Sequence, residues 1–225
     1  MEYASTYPAV FVSRPNRFTA IVTVDGQPRT VHVKNTGRCR ELLLPGAAVI
    51  LQAAANPNRK TPADLIAVYK PGLGWVNIDS QAPNAVAAEW LGTLGFDRVM
   101  PEYRYGASRL DFCAVKDGRK TLIEVKGCTL EREGIGYFPD APTERGARHL
   151  RELKAAVGEG HAAWLLFVIQ MEGVTEVRPN TETDPAFAAA WKEAAEAGVE
   201  VKMLPCRVTE NTLTAAPYRK TTDRD

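Results

Sequence analysis

No Cys-x-x-Cys pair occurs anywhere in the 225 residues, and the four cysteines (Cys39, Cys113, Cys128, Cys206) are scattered. That spacing argues against a zinc ribbon or a thioredoxin-type redox motif. Lone cysteines in a chain without a secretory signal read as reduced and buried. The first residues, Met1-Glu2-Tyr3-Ala4-Ser5, have neither a basic stretch nor an apolar core, so a cytoplasmic location is expected. No apolar run approaches the 18 or so residues of a membrane helix; the longest, Ala162 to Ile169, has the length of a buried strand. Net charge is +1, so no global field advertises nucleic acid. No repeats or low-complexity segments appear, and only Arg219 to Asp225 reads as disordered. With 45% hydrophobic and 24% charged residues, the chain has the make-up of a soluble globular protein of one large or two small domains.

What is present divides at about Pro83-Asn84. Residues 9–80 read as mainly β: Ala9–Val12, Phe18–Val24 and Arg29–Lys34, then a short helical stretch from Arg38 to Leu44 that stops at Pro45-Gly46. Strands resume at Ala48–Leu51, Leu65–Tyr69 and Trp75–Ile78. Three strands, a helix and further strands are the element order of an OB-like barrel. Residues 83–225 alternate: a helix capped by Asn84 and running to Leu91, and a three-strand meander from Val99 to Thr129. A glycine-containing loop leads to a helix capped by Thr143, and a strand, a helix from Pro185 and a last strand follow. This order gives a mixed sheet flanked by helices, an α/β (α+β mixed) domain. Charge is uneven between the parts, with nine basic against five acidic residues in 1–83 and nineteen against twenty-two thereafter. A basic N-terminal part facing phosphates and an acidic, metal-holding C-terminal part would suit that imbalance.

The meander carries the chemistry. Asp117-Gly118 is a two-residue hairpin signal, and placing it in the turn opposes Lys116 to Arg119 and, further along, Asp111 to Glu124. Gly106-Ala107 as the preceding turn opposes Tyr105 to Ser108 and Glu102 to Asp111. Glu102, Asp111 and Glu124 would then form one row across three strands, with Lys126 on the same face as Glu124. Like charges directly opposite one another destabilise a sheet unless a cation lies between them. The alternative is a solvated sheet face, where alternating Glu and Lys need no function.

Lys34-Asn35-Thr36-Gly37-Arg38-Cys39, Ser108-Arg109-Leu110-Asp111-Phe112, Ile123-Glu124-Val125-Lys126-Gly127 and Phe138-Pro139-Asp140-Ala141-Pro142-Thr143-Glu144-Arg145-Gly146 resemble motifs of the sugar fermentation stimulation protein family. The αβββαβ order with Asp111 and Glu124-x-Lys126 also resembles the PD-(D/E)xK nuclease superfamily, with Leu110 standing where a proline would precede the aspartate. The resemblance implies an OB-like nucleic-acid-binding domain over 1–82 and a nuclease-like domain over 83–225. It further implies DNA binding and a role in regulating sugar metabolism.

On this reading Asp111, Glu124 and Glu102 are the metal ligands, with the Val125 carbonyl adding an oxygen and Glu89 an alternative to Glu102. Asp111, Glu124 and Lys126 are the catalytic set, and Mg2+, or Mn2+ in its place, is the cofactor. Hard oxygen ligands suit such a cation, and Lys126 would orient water or neutralise charge. Arg14, Arg17, Lys34, Arg38 and Arg40 make a basic set, and Arg14, Arg17, Lys34, Asn35 and Arg38, with Arg145 and His149 from the helix after the meander, are the DNA-binding candidates. Arg145, His149 and Glu152 share one helix face. Each arginine read singly is an ordinary solvated charge. DNA is the expected partner, no membrane is, and a homodimer stays open. Three functions compete: a Mg2+-dependent DNA nuclease, a DNA-binding regulator that keeps the nuclease fold without cutting, and a sugar-handling enzyme, which has only the family name behind it.

Overall fold

The structure is a computed structural model that describes residues 1–35, 37–56, 58–106 and 108–216. Thr36, Ala107 and the Arg219 to Asp225 tail, all of which figured in the sequence reading, lie outside the described residues. The N-terminal half contains β1 (Thr6–Asn16), β2 (Thr19–Val24), β3 (Gln27–Val33), β4 (Ala48–Ala53), β5 (Ala63–Lys70) and β6 (Gly74–Asn77). They pair in the order β3-β2-β1-β4-β5-β6, and β3 also pairs with β5 in parallel, closing a five-stranded barrel of OB type. Alternating residues Phe11, Val22, Val31, Val33, Leu51 and Leu65 fill its interior.

Asp64 sits at the closure, opposite His32. Arg59 reaches its carboxylate at 2.7 and 3.1 Å, His32 Nδ1 at 2.9 Å and Lys34 at 3.5 Å. Burial pushes the Asp64 carboxyl up, but hydrogen bonds from Arg59 and His32 and the Lys34 charge outweigh it and hold it at about 2. Because the folded value lies below the unfolded one, the stabilisation is full above the usual 3.8 and disappears as pH falls through about 2. Asp64→Asn should therefore cost about 2 kcal/mol at pH 7, a figure limited by the partial exposure of Arg59 and His32. In urea titrations the gap to the parent should narrow as pH falls below 3.8 and close near pH 2.

The stretch from Arg38 to Leu44 is a turn rather than the expected helix. Cys39 has φ +46°, and its carbonyl accepts from both Leu42 and Leu43. Its own N–H donates to Asp140 Oδ2 at 2.7 Å, which ties the barrel to the second half of the chain.

That half runs α1 (Ala82–Leu91), β7 (Arg98–Tyr105), β8 (Ser108–Lys116), β9 (Arg119–Cys128), β10 (Leu130–Arg132), β11 (Ile135–Phe138), α2 (Glu144–Gly158), β12 (Ala162–Ile169), β13 (Val177–Pro179), α3 (Pro185–Glu196), β14 (Glu200–Val208) and β15 (Leu213–Ala215). Its main sheet has the order β15-β14-β12-β9-β8-β7, with β9, β12 and β14 parallel and the meander antiparallel. The α1 residues Val86, Ala87 and Leu91 pack on one face of this sheet, and Ala147, Leu150 and Leu153 of α2 on the other. The glycine-containing segment read as a loop forms β10 and β11, which pair with each other, and β11 also pairs with distant β13. Thr143 caps α2 as expected, its Oγ1 accepting from Gly146 N at 3.0 Å. Asn84 does not cap α1: the N-cap is Gln81, and Asn84 lies within the first turn. No helix among the described residues is long and apolar enough to cross a membrane.

The halves lock through buried amides. Asn77 N donates to Gln170 O at 2.9 Å, and Gln170 Nε2 donates to Asn77 Oδ1 at 2.9 Å and Asp79 O at 3.1 Å. Tyr3 joins them through Asn77 Nδ2 at 2.9 Å. Gly127 lies against this lock. A Cβ there would fall 2.2 Å from Gln170 Oε1 and 2.6 Å from Pro83 Cγ, so only glycine fits after Lys126.

Candidate metal centre

Both hairpin turns of the meander set the expected registers. Lys116 pairs with Arg119 and Phe112 with Ile123; Tyr105 pairs with Ser108, and Pro101 with Phe112. The row of three carboxylates nevertheless breaks. Leu110 and Cys113 both enter the core on the α2 side, and so do Met100 and Tyr103, whereas Phe112 and Ala114 enter the α1 side. A regular strand would send residues three apart to opposite faces, so β7 and β8 both switch face around Glu102 and Asp111. Glu102 takes φ +50°, a left-handed conformation that swings its side chain outward. Its carboxylate is exposed and meets Arg109 at 3.5 Å. The expected third metal ligand is thus directed to solvent and an arginine. Glu89, the alternative, is also exposed and accepts from the Met1 amine at 2.8 Å.

Asp111 leaves the ladder at the same point. Its Oδ2 accepts from Val125 N at 2.8 Å and its Oδ1 from Asn84 Nδ2 at 2.9 Å, so Asn84 fixes an acid rather than a helix end. Burial first, and the Glu124 charge second, push the Asp111 carboxyl upward. The two carboxylates, one from β8 and one from β9, are thus near enough for the charge of Glu124 to act on Asp111.

Glu124 is buried on the α2 side of the sheet. Lys126 Nζ donates to its Oε1 at 2.5 Å, and His149 Nδ1 meets the same oxygen at 2.5 Å. Burial raises the Glu124 pKa, but His149 and Lys126 together hold it below the usual range, so the carboxylate is charged. Its other oxygen, Oε2, is buried and has no hydrogen-bond partner among the described residues. A buried anionic oxygen in that state is costly unless something cationic takes it. A hard divalent cation using one or two carboxylates and completing its shell with water fits the donors present. Among the described residues no three His, Cys, Asp or Glu side chains are grouped to hold a metal by themselves, so the fit rests on Asp111 and Glu124.

The other predicted residues separate into two groups. Arg14 is a staple: its guanidinium donates to the carbonyls of Arg17, Asn35, Gly37 and Arg38 at 2.6–2.8 Å, and these four bonds remove it from the nucleic-acid candidates. Asn35 is spent on Ile78 O and Gly37 N, and Lys34 on Asp64 and Asp79. His149 is 3% exposed and faces Glu124, which takes it off the DNA-contacting surface. Arg17, Arg38 and Arg145 are exposed. Arg38 shares with Arg40, Glu41, Arg132 and Asp140 a cavity of about 240 Å³ at the seam between the halves. The Asn84–Asp111 bond escaped the sequence reading, and no local signal marks it.

Two family models cover most of the chain. The SfsA N-terminal OB domain matches residues 12–78, and the sugar fermentation stimulation protein RE domain matches residues 81–212. A sugar fermentation stimulation protein homolog of Desulfitobacterium hafniense is 47% identical over 221 residues, 97% of this chain and 96% of its own. One of Alkaliphilus oremlandii is 49% identical over 212 residues, 89% and 90% of the two chains. The solved structure of Pyrococcus furiosus SfsA in complex with Ca2+ superposes with a TM-score of 0.84 at 28% identity, covering 96% of this chain and 95% of that one. With its barrel, its mixed sheet and these matches along nearly its whole length, the chain belongs to the sugar fermentation stimulation protein family.

Proposed function

We propose that this protein is a divalent-cation-dependent phosphodiester hydrolase acting on DNA. Residues 1–82 contact the nucleic-acid backbone and residues 83–225 carry the chemistry. The single observation behind the reading is the Glu124 carboxylate, charged and buried, with no hydrogen-bond partner for Oε2 among the described residues and with its charge felt at Asp111. The Ca2+ in the Pyrococcus furiosus relative's structure supports a hard cation here; Mg2+ is the working ion of this reading and Mn2+ its substitute. Asp111 and Glu124 would hold it, and when bound it polarises a phosphoryl oxygen and acidifies a water.

The protein's own groups supply the rest. Val125 N–H and Asn84 hold Asp111 in place. Lys126, partly exposed, sets a positive charge where a phosphate would gain negative charge during cleavage. The exposed Arg17, Arg38 and Arg145 position the phosphate backbone, with affinity that falls as salt rises. Regulation of sugar fermentation, to which the family's name points, would then act through DNA.

The test is incubation of purified protein with supercoiled, linear and single-stranded DNA, with Mg2+, with Mn2+ and with chelator. Cleavage that needs the cation and disappears in Glu124→Gln is expected. If no DNA form is cut while salt-dependent binding survives chelation, the non-cutting regulator takes the place of this reading.

A further inference from the structure

One face of α2 carries Arg145 and His149, a helical turn apart, and between them they determine how Glu124 is presented. Arg145 Nε can only donate a hydrogen bond, and it points at His149 Nε2 at 3.4 Å. Nε2 is therefore the bare, accepting nitrogen, and the ring proton sits on Nδ1, 2.5 Å from Glu124 Oε1.

We infer that Arg145 and His149 are a positioning pair for the cation site: Arg145 selects the Nδ1–H tautomer of His149, and His149 pins Glu124 through Oε1 so that Oε2 stays free. Lys126 donates to the same Oε1, so two donors saturate one oxygen and leave both lone pairs of the other unused. The two donors also come from different elements, β9 and α2, which stops the carboxylate from rotating about its last bond. His149 is too deeply buried to touch DNA, so it acts through Glu124 alone. Arg145 lies exposed at the outer end of the pair, and a phosphate drawn to it would reach the ligand through two hydrogen bonds. The purpose of the pair rests on the cation reading above; the tautomer does not.

Nitrogen-15 NMR of the metal-free protein reads the tautomer directly. His149 should appear as Nδ1–H in the parent and as a mixture of tautomers in Arg145→Met, a change at an exposed position that spares the fold. Ca2+ titration calorimetry reads the consequence. His149→Asn puts an amide N–H where Nδ1 was and should bind within a few-fold of the parent. His149→Gln and His149→Leu should bind about 10–100-fold more weakly, the usual loss for a group that orients a ligand.

An Nε2–H tautomer in the parent overturns the inference. So does full Ca2+ affinity in a His149→Leu protein that melts like the parent. A parent that binds Ca2+ but cuts no DNA sinks the nuclease reading and supports the pair if the His149 series keeps its order. If the parent binds no Ca2+, the cation reading falls and the tautomer and its response to Arg145→Met decide alone.

Discussion

Lys126→Met should lower DNA cleavage by about 10²–10⁴-fold, the range for loss of a group that moves or neutralises charge at the reacting centre, while Ca2+ binding stays intact or tightens. The two effects separate because Lys126 has two neighbours to serve. Its ammonium lies 2.5 Å from Glu124 Oε1, so in the metal-free protein it competes electrostatically with any cation for that carboxylate. Removing it strips one positive charge from the ion's surroundings and takes nothing from Oε2. Methionine keeps most of the lysine's aliphatic stem, so the change is mainly one of charge. The metal-free variant should lose about 3 kcal/mol, since Glu124 stays buried with His149 as its one remaining donor. Saturating Ca2+ should return much of that. Single-turnover cleavage and calorimetry on the same preparation decide the matter. A parallel fall in both would mean that Lys126 only holds the site together.

Much of this geometry was legible before any coordinates, because hairpin register depends on local turn chemistry. Asp117-Gly118 and the glycine at 106 needed no knowledge of distant chain to pair Lys116 with Arg119 and Tyr105 with Ser108. Thr143 was readable for the same reason, since an N-cap is a matter of three residues. The errors came where a side chain answers to something far away. Asn84 looks like a cap, but Asp111 on another strand claims its amide. Arg14 looks like a phosphate contact, but three carbonyls of the loop near Asn35, and that of Arg17, surround it. The segment over β10 and β11 looks like a loop because its hairpin is short and the third strand of its sheet, the partner of β11, arrives some forty residues later. The break in the carboxylate row is of this kind too. Counting along strands assumes that faces alternate, and nothing in Pro101-Glu102-Tyr103 announces the left-handed residue at which they stop doing so.

That break also explains why Asp111 is the residue whose replacement should separate stability from function. In the metal-free protein its carboxylate is held against burial and against the Glu124 charge, both of which raise its pKa. For an acid raised in the folded state, the favourable contribution is complete at low pH and is lost as pH rises through the folded value, so at neutral pH the ionised group is a burden. Asp111→Asn removes that burden and keeps the shape. Its Oδ1 can still accept from Val125 N, and its amide can donate to Asn84 once the Asn84 side chain flips to present oxygen. The metal-free variant should therefore melt higher than the parent, by about 2–4 °C for each kcal/mol relieved, and its stability should decline less as pH rises from the acid side to neutral. Cation reverses the order. The parent gains about 2.7 kcal/mol at a hundredfold excess over its dissociation constant, whereas the variant, short of one of two carboxylates, gains little, and its cleavage should fall by about 10³-fold or more. Melting both proteins with and without Mn2+ gives four temperatures whose ranking must cross. If Asp111→Asn is destabilised in chelator, or shifts with Mn2+ as far as the parent does, then the two carboxylates are not the strained, cation-seeking pair that their placement implies.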